Sequence, residues 1–321
     1  MAGVEMKRAA ARWAFACWFA WWGAWAAEKL SDPAEWLRKM AEAVQNLNYR
    51  VTLAYSRDNR IQVLRLVHEV KEGIVREHLK TLSDPLREVV REANQVTCYF
   101  PEQHTLRVES RSLGHSVFGE WPTQWQEKAK FYRLALGRRE RVAERLAQEI
   151  VIEPLDAYRY GRRLWIDEKS QLPLKLELIG PKDQVLESLV VTELVLGQVD
   201  GTPAQSEAKP AEEGWKVLKP EEAPADQRWQ LTQLPPGFAE VKRTQRKDPL
   251  SSTPVDHILV TDGLASVSVY IKRQDEGSEL DLKHRRLGAL NVYNRRIDGY
   301  LVTVVGDVPF ETVRFIGDGV R

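Results

Sequence analysis

Six histidines stand at positions 68, 78, 104, 115, 257 and 284, and no two of them share a metal-ligand spacing on an expected helix. The 321 residues contain no His-Glu-x-x-His pair, Gly-x-Ser-x-Gly elbow, Walker A loop or Gly-x-Gly-x-x-Gly run. A catalytic triad is defined in space and not by sequence, yet no nucleophile is set beside a base here. The expectation is therefore a binding protein that is not an enzyme, with no metal and no cofactor. Cys98 lies in Val96-Thr97-Cys98-Tyr99-Phe100-Pro101, an alternating strand followed by a breaker. The ordinary use of such a cysteine is as a small buried hydrophobe, since a reactive thiol needs a neighbouring cation and water.

Two groups of residues carry recognition chemistry. His284-Arg285-Arg286-Leu287-Gly288 and Tyr293-Asn294-Arg295-Arg296 place four arginines and a histidine within thirteen residues. This is either a solvated surface or a guanidinium-rich face able to hold carboxylates or phosphates in bidentate fashion. On the second reading, His284, Arg285, Arg286, Tyr293, Arg295 and Arg296 are the partner-binding residues. The other group is apolar. Trp121-Pro122-Thr123-Gln124-Trp125 sets two indoles four apart at an expected helix start, serving either core packing or the mouth of an apolar pocket. With Trp36 and Met40 of the first helix, Trp121 and Trp125 are the candidate lining of a lipid-sized cavity.

The elements that position these residues follow from periodicity. Asp32-Pro33-Ala34-Glu35 supplies a helix cap, a proline at the first helical position and an acidic residue three after the cap. Trp36, Leu37, Met40, Val44 and Leu47 then recur at helical spacing up to residues 46–48. Beyond them Tyr49 to Tyr55, Ile61 to His68, Val96 to Phe100, Arg159 to Asp167, Leu172 to Ile179 and Val185 to Leu196 read as antiparallel strands, with corners at Lys169-Ser170 and Gly180-Pro181-Lys182-Asp183. A helix is expected over roughly Pro122 to Leu136. Many strands with one apolar face and one long helix imply an α+β, mainly antiparallel β fold, in which a strongly curved sheet has its concave side filled.

The chain divides by composition. Residues 1–26 read as a signal peptide: Lys7, Arg8 and Arg12 precede the apolar run Trp13 to Trp22, and Ala24-Trp25-Ala26 supplies a small-x-small cleavage pattern. That run is half the roughly 20 residues a membrane-spanning helix needs, so a soluble product cleaved near Ala26 is expected. Three basic residues and Glu5 leave with it, so 44 basic residues face 45 acidic ones in the remainder. Such a balance excludes a general polyanion-coating role, and no nucleic acid is expected as partner. Cys17 also leaves, and Cys98 then has no partner for an internal disulfide. Residues 27–197 form the first expected domain; 198–227, rich in Pro, Ala, Glu, Gly and Lys, a linker; and 228–321 a small α+β domain. There Asp262-Gly263 and Asp298-Gly299 are expected as tight hairpin turns, and Pro309 opens a C-terminal helix carrying Val313, Ile316 and Val320.

Several segments then carry a resemblance in order along the chain: Arg87-Glu88-Val89-Val90-Arg91, Cys98-Tyr99-Phe100-Pro101, Leu164-Trp165-Ile166-Asp167, Leu172-Pro173-Leu174-Lys175, Trp229, Leu234-Pro235-Pro236-Gly237-Phe238, Thr261 to Ser266, Asn291 to Arg296 and Val302 to Pro309. From Asp32 to Val320 the chain resembles the RseB/MucB family of periplasmic sigma-E regulators. The resemblance implies a first domain similar to the lipoprotein carriers LolA and LolB, a half-open barrel with a covering helix, joined to the smaller second domain. It implies a periplasmic protein that binds the periplasmic region of an RseA/MucA-type anti-sigma factor, protects it from site-1 proteolysis, and is released by lipopolysaccharide or lipoprotein acyl chains. A lipoprotein carrier of the LolA/LolB kind is the alternative, against which the second domain argues. The oligomeric state, a homo-oligomer included, is left open.

Overall fold

A computed structural model describes residues 32–93, 95–110, 117–119, 121–122, 124–197, 214–218, 222–224, 226–247, 253–274 and 285–321. The expected signal peptide with Cys17, much of segment 198–227, and His284 lie outside the described residues. Twelve strands form one sheet: β1 (Tyr49–Arg57), β2 (Arg60–Lys71), β3 (Ile74–Thr81), β4 (Glu88–Glu92), β5 (Gln95–Phe100), β6 (Thr105–Ser110), β7 (Tyr132–Val142), β8 (Arg145–Pro154), β9 (Gly161–Asp167), β10 (Pro173–Ile179), β11 (Val185–Leu196) and β12 (Lys216–Leu218). Their spatial order is β12-β6-β5-β4-β3-β2-β1-β11-β10-β9-β8-β7. Seven more form the second sheet: β13 (Glu222–Ala223), β14 (Ala239–Lys247), β15 (Pro254–Thr261), β16 (Ser266–Arg273), β17 (Arg285–Leu287), β18 (Leu290–Ile297) and β19 (Tyr300–Gly306), ordered β13-β14-β15-β16-β19-β18-β17. The fold is mainly antiparallel β, with a large curved sheet and few helices.

Curvature is unevenly distributed, and the ladders show why. Register shifts interrupt the β1/β11, β11/β10, β10/β9 and β8/β7 pairings, whereas β1 through β6 run in register. Each bulge bends its strand and adds twist. The bulged half therefore coils until β7 touches β11 again. Helix α1 (Pro33–Asn46) lies against β7 and β8. Its start is as expected: Asp32 Oδ1 accepts the Ala34 amide at 2.9 Å, and Pro33 opens the first turn. Trp36, Leu37, Met40 and Val44 are buried along one face, each contributing roughly 1.5–3 kcal/mol of transfer free energy.

Along β1, Tyr49, Val51 and Leu53 point inward and are fully buried. Tyr49 stacks on His68 with ring centroids 4.7 Å apart and 5° between planes. His68 Nδ1 lies 2.8 Å from the Leu47 carbonyl oxygen, which assigns the proton to that nitrogen. Burial keeps the imidazole neutral, moving its pKa below the ordinary value of 6.5. The unfolded chain takes up that proton near 6.5 and the folded chain does not, so this share of stability is complete above 6.5 and is lost as pH falls. In urea melts from pH 7 to pH 5, His68→Gln is expected to lose less stability than the parent; an unchanged slope would place the pH dependence elsewhere.

Two expectations need correction. The helix placed over Pro122 to Leu136 is one turn, α2 (Trp125–Lys128), and Tyr132 to Leu136 belong to β7. Pairing with Ile150 to Pro154 of β8 overrides the helical propensity of Leu134-Ala135-Leu136. Trp121 accordingly precedes the helix. The Asp262-Gly263 turn is also not a two-residue loop: Thr261 pairs with Ser266, leaving four residues between. The Asp298-Gly299 turn is as expected, with φ of 47° and 79° and Ile297 opposite Tyr300. One face of the second sheet packs beneath α3 (Phe310–Asp318), with Ile258, Val260, Val267, Val269, Val302, Val304, Val313 and Ile316 as its core.

Candidate functional site

Where the two sheets meet, the contact centres on a buried ion pair. The chain leaving β8 turns through Leu155 to Tyr160, and its Arg159 side chain is wholly buried. Arg159 Nε donates to Asp262 Oδ2 at 2.6 Å, Nη1 to Asp156 and Nη2 to the Pro236 carbonyl. Phe131 and Phe238 each bring a ring centroid to 4.8 Å from the guanidinium carbon, and Tyr132 lies at 5.5 Å. Asp262 is equally enclosed. Its Oδ1 accepts the Leu264 amide at 2.9 Å and the Ala265 amide at 2.8 Å, while Oδ2 also accepts the Tyr132 hydroxyl at 2.7 Å.

Burial alone would raise the Asp262 carboxyl, but the amides of Ala265 and Leu264, the Tyr132 hydroxyl and the Arg159 guanidinium outweigh it and hold it below the usual carboxylate value. The Tyr132 phenol moves the opposite way, pushed well above its ordinary value by burial and by that carboxylate.

Further polar bonds extend the junction. Arg162 Nη2 donates to the Leu264 carbonyl at 2.6 Å, and Thr312 Oγ1 to the Tyr158 carbonyl at 2.8 Å. Asn291 Nδ2 reaches the Tyr160 hydroxyl at 3.0 Å and the Val308 carbonyl at 2.8 Å. At the far side Glu187 accepts from the Tyr55 hydroxyl at 2.7 Å and from the Ala289 amide at 3.2 Å. The junction thus relies on directional bonds, which specify one mutual placement of the sheets more sharply than apolar contact does. Gly237 supports it sterically. Its φ is +83°, and a Cβ there would sit 2.5 Å from Phe131 Cε2. Gly237→Val is expected to cost about 1–3 kcal/mol, read as a lower melting temperature; an unchanged melt would show that this close approach is not needed.

The expected partner-binding residues are dispersed. Arg285 and Arg286 lie on β17, opposite Val292 and Asn291. Arg286 Nε donates to the Gly288 carbonyl at 2.8 Å, and Arg286 lines a groove of about 480 Å³ with Arg57, Glu187 and Gly288. Tyr293 and Arg295 instead serve α3: the Tyr293 hydroxyl donates to Asp318 Oδ1 at 2.6 Å, and Arg295 Nη1 to the Gly317 carbonyl at 3.0 Å. Arg296, the next residue along β18, points to the opposite sheet face.

The expected cavity residues Trp36, Met40, Trp121 and Trp125 are all buried, at 4%, 0%, 7% and 4% exposure. Trp125 also borders an open groove of about 560 Å³ with Pro33, Tyr132, Leu134 and Leu155, and Arg162 lies 5.8 Å from the Trp121 ring centroid. Sequence reasoning did not single out Arg159 as functional. The available signal was an arginine between Tyr158 and Tyr160 and three residues after Asp156, which is a weak one. Among the described residues, no group of three His, Cys, Asp or Glu side chains could hold a metal ion, and no helix is long and apolar enough to cross a membrane.

Comparison with known proteins covers about nine tenths of the chain. A family model described as the MucB/RseB N-terminal domain matches residues 32–214, and one described as the MucB/RseB C-terminal domain matches residues 223–321. The sigma factor AlgU regulatory protein MucB of Pseudomonas aeruginosa is 30% identical over 307 residues, covering 92% of each chain. The sigma-E factor regulatory protein RseB of Salmonella typhimurium is 28% identical over 294 residues, covering 91% of this chain and 92% of that one. The crystal structure of MucB in complex with MucA(peri) superposes with a TM-score of 0.71 at 28% identity, covering 90% of this chain and 98% of that one.

Proposed function

The chain belongs to the MucB/RseB family, and from that premise we propose that it binds the periplasmic region of an RseA/MucA-type anti-sigma factor. On this reading the bound region is shielded from site-1 proteolysis, and lipopolysaccharide or mislocalised lipoprotein releases it. The observation that carries the proposal is the similarity, over 90% of this chain, to MucB as solved with MucA(peri). The family's members are named as regulators and not for a reaction, which suits a protein that acts by holding a partner.

The protein works in the periplasm after removal of residues 1–26. Residues 27–197 are its lipid-sensing domain and 228–321 its partner-binding domain, joined through 198–227. His284, Arg285, Arg286, Tyr293, Arg295 and Arg296 are the candidate contacts, with Tyr293 and Arg295 also bonded to Asp318 and Gly317 of α3. Lipid entering beside Trp36, Met40, Trp121 and Trp125 releases the partner only to the extent that it binds one arrangement of the two sheets better than the other.

Calorimetric titration of the mature protein with the periplasmic region of a co-encoded single-span anti-sigma factor tests this, with and without lipopolysaccharide. Saturable binding that weakens with lipopolysaccharide is expected. Absence of binding would defeat the proposal, and binding indifferent to lipopolysaccharide would remove its release step.

A further inference from the structure

We infer that the outer edge of β6 is a seat for an extended segment of the protein partner, occupied in the structure by the chain's own β12 and taken by the partner through strand exchange. The inference rests on the anti-sigma reading and adds to it a place and a mode of contact. Every neighbouring pair in the large sheet is antiparallel except one: β12 lies parallel to β6, with Lys216 opposite Thr105, Val217 opposite Leu106 and Leu218 opposite Arg107. Three residues are a short strand. They cover half of β6, so among the described residues Val108 to Ser110 have ladder partners on the β5 side alone. An edge paired along half its length presents backbone donors and acceptors to an incoming strand.

The seat has side-chain specificity as well. Trp215 packs edge-on to Tyr99, with centroids 6.4 Å apart, and against His104 at 5.9 Å. Two residues on, Val217 faces Leu106, which is buried, while Val217 itself remains 51% exposed. Tyr99 and Leu106 thus form a shallow apolar strip that receives an aromatic residue and, two positions later, an aliphatic one. A partner segment with that pattern, running parallel to β6, fits the same strip and can continue pairing past Arg107. The other edge of this sheet is protected: β7 carries a bulge between Leu136 and Arg139, and its Arg133, Arg138, Arg139, Glu140 and Arg141 are exposed. Bulges and edge charges discourage strand addition, so β6 is the edge where exchange can occur.

The full mature chain carrying Leu106→Cys with Val217→Cys tests the inference in one protein. Opposed residues on neighbouring strands lie within disulfide reach, and Cys98, opposite Arg107, is on the other sheet face. The probe is the periplasmic region of the anti-sigma factor. The reduced form of this variant is the reference, since Leu106 itself belongs to the strip, and the oxidised form, with β12 locked in place, should bind at least tenfold more weakly than it. Trp215→Ala, which loosens β12, should bind severalfold more tightly than the parent. Equal affinity of the oxidised and reduced forms, or weaker binding by Trp215→Ala, overturns the exchange while leaving the anti-sigma reading intact. Failure of the parent protein to bind at all removes both.

Discussion

Arg159→Met is expected to destabilise the protein by about 3–5 kcal/mol, because it leaves the Asp262 carboxylate buried without its cation. In a protein of this size that is a fall in melting temperature on the order of 10 °C. Methionine keeps the apolar stem of arginine but not the guanidinium that Phe131 and Phe238 flank, so the loss reports the ion pair together with those ring contacts and the bonds to Asp156 and the Pro236 carbonyl. Asp262→Asn should cost less, since its carbonyl oxygen can still accept the Leu264 and Ala265 amides. The double variant should lose less than the two single losses added together, because the second exchange removes a partner already orphaned by the first.

The same pair sets a pH dependence with a defined sign. The Asp262 pKa is lower folded than unfolded, so its contribution is complete above the unfolded value of about 4 and is lost as pH falls through the folded one. The stability gap between the parent and Asp262→Asn should therefore close on acidification. Additive losses in the double variant, or a gap unchanged toward pH 3, would show that Arg159 and Asp262 do not act together.

Met40→Ala carries the second large effect, about 2–5 kcal/mol from lost transfer energy and the cavity left behind. Met40 is fully buried in the face of α1 that covers the coiled half of the large sheet. Denaturant unfolding measures the loss, and a similar denaturant slope in parent and variant would assign it to the folded state. A loss under 1 kcal/mol would mean that α1 is not essential to the filling of that sheet.

Local signals in the sequence locate α1, α3 and about half of the strands. Asp32-Pro33 and Glu35 marked the start of α1 because capping is chemistry between near neighbours, and Asp298-Gly299 marked a hairpin because both residues tolerate positive φ. β11 is read at Val185 to Leu196, where Val and Leu recur after the turn at Gly180 to Asp183. β7 was missed because Tyr132 to Leu136 has no clean alternation; strand identity there comes from β8, paired across a turn.

The junction was harder to read for a related reason. Arg159 and Asp262 are 103 residues apart, and Arg159 reaches a carbonyl 77 residues away. No spacing rule extends so far. Asp262 was noticed as a turn former, but the property that matters, a desolvated carboxylate satisfied from both sheets, exists only after folding. The arginines of β17 and β18 showed the opposite failure. Four of them are close in sequence, yet strand alternation and α3 send them to different faces.

Protection of a bound partner is measured most directly by the rate at which site-1 protease cuts the anti-sigma periplasmic region with and without an equimolar amount of the mature protein. A rate slowed in proportion to the fraction of partner bound, and restored when lipopolysaccharide is added, is the expected result. Cleavage at an undiminished rate under conditions where the complex is saturated would contradict it.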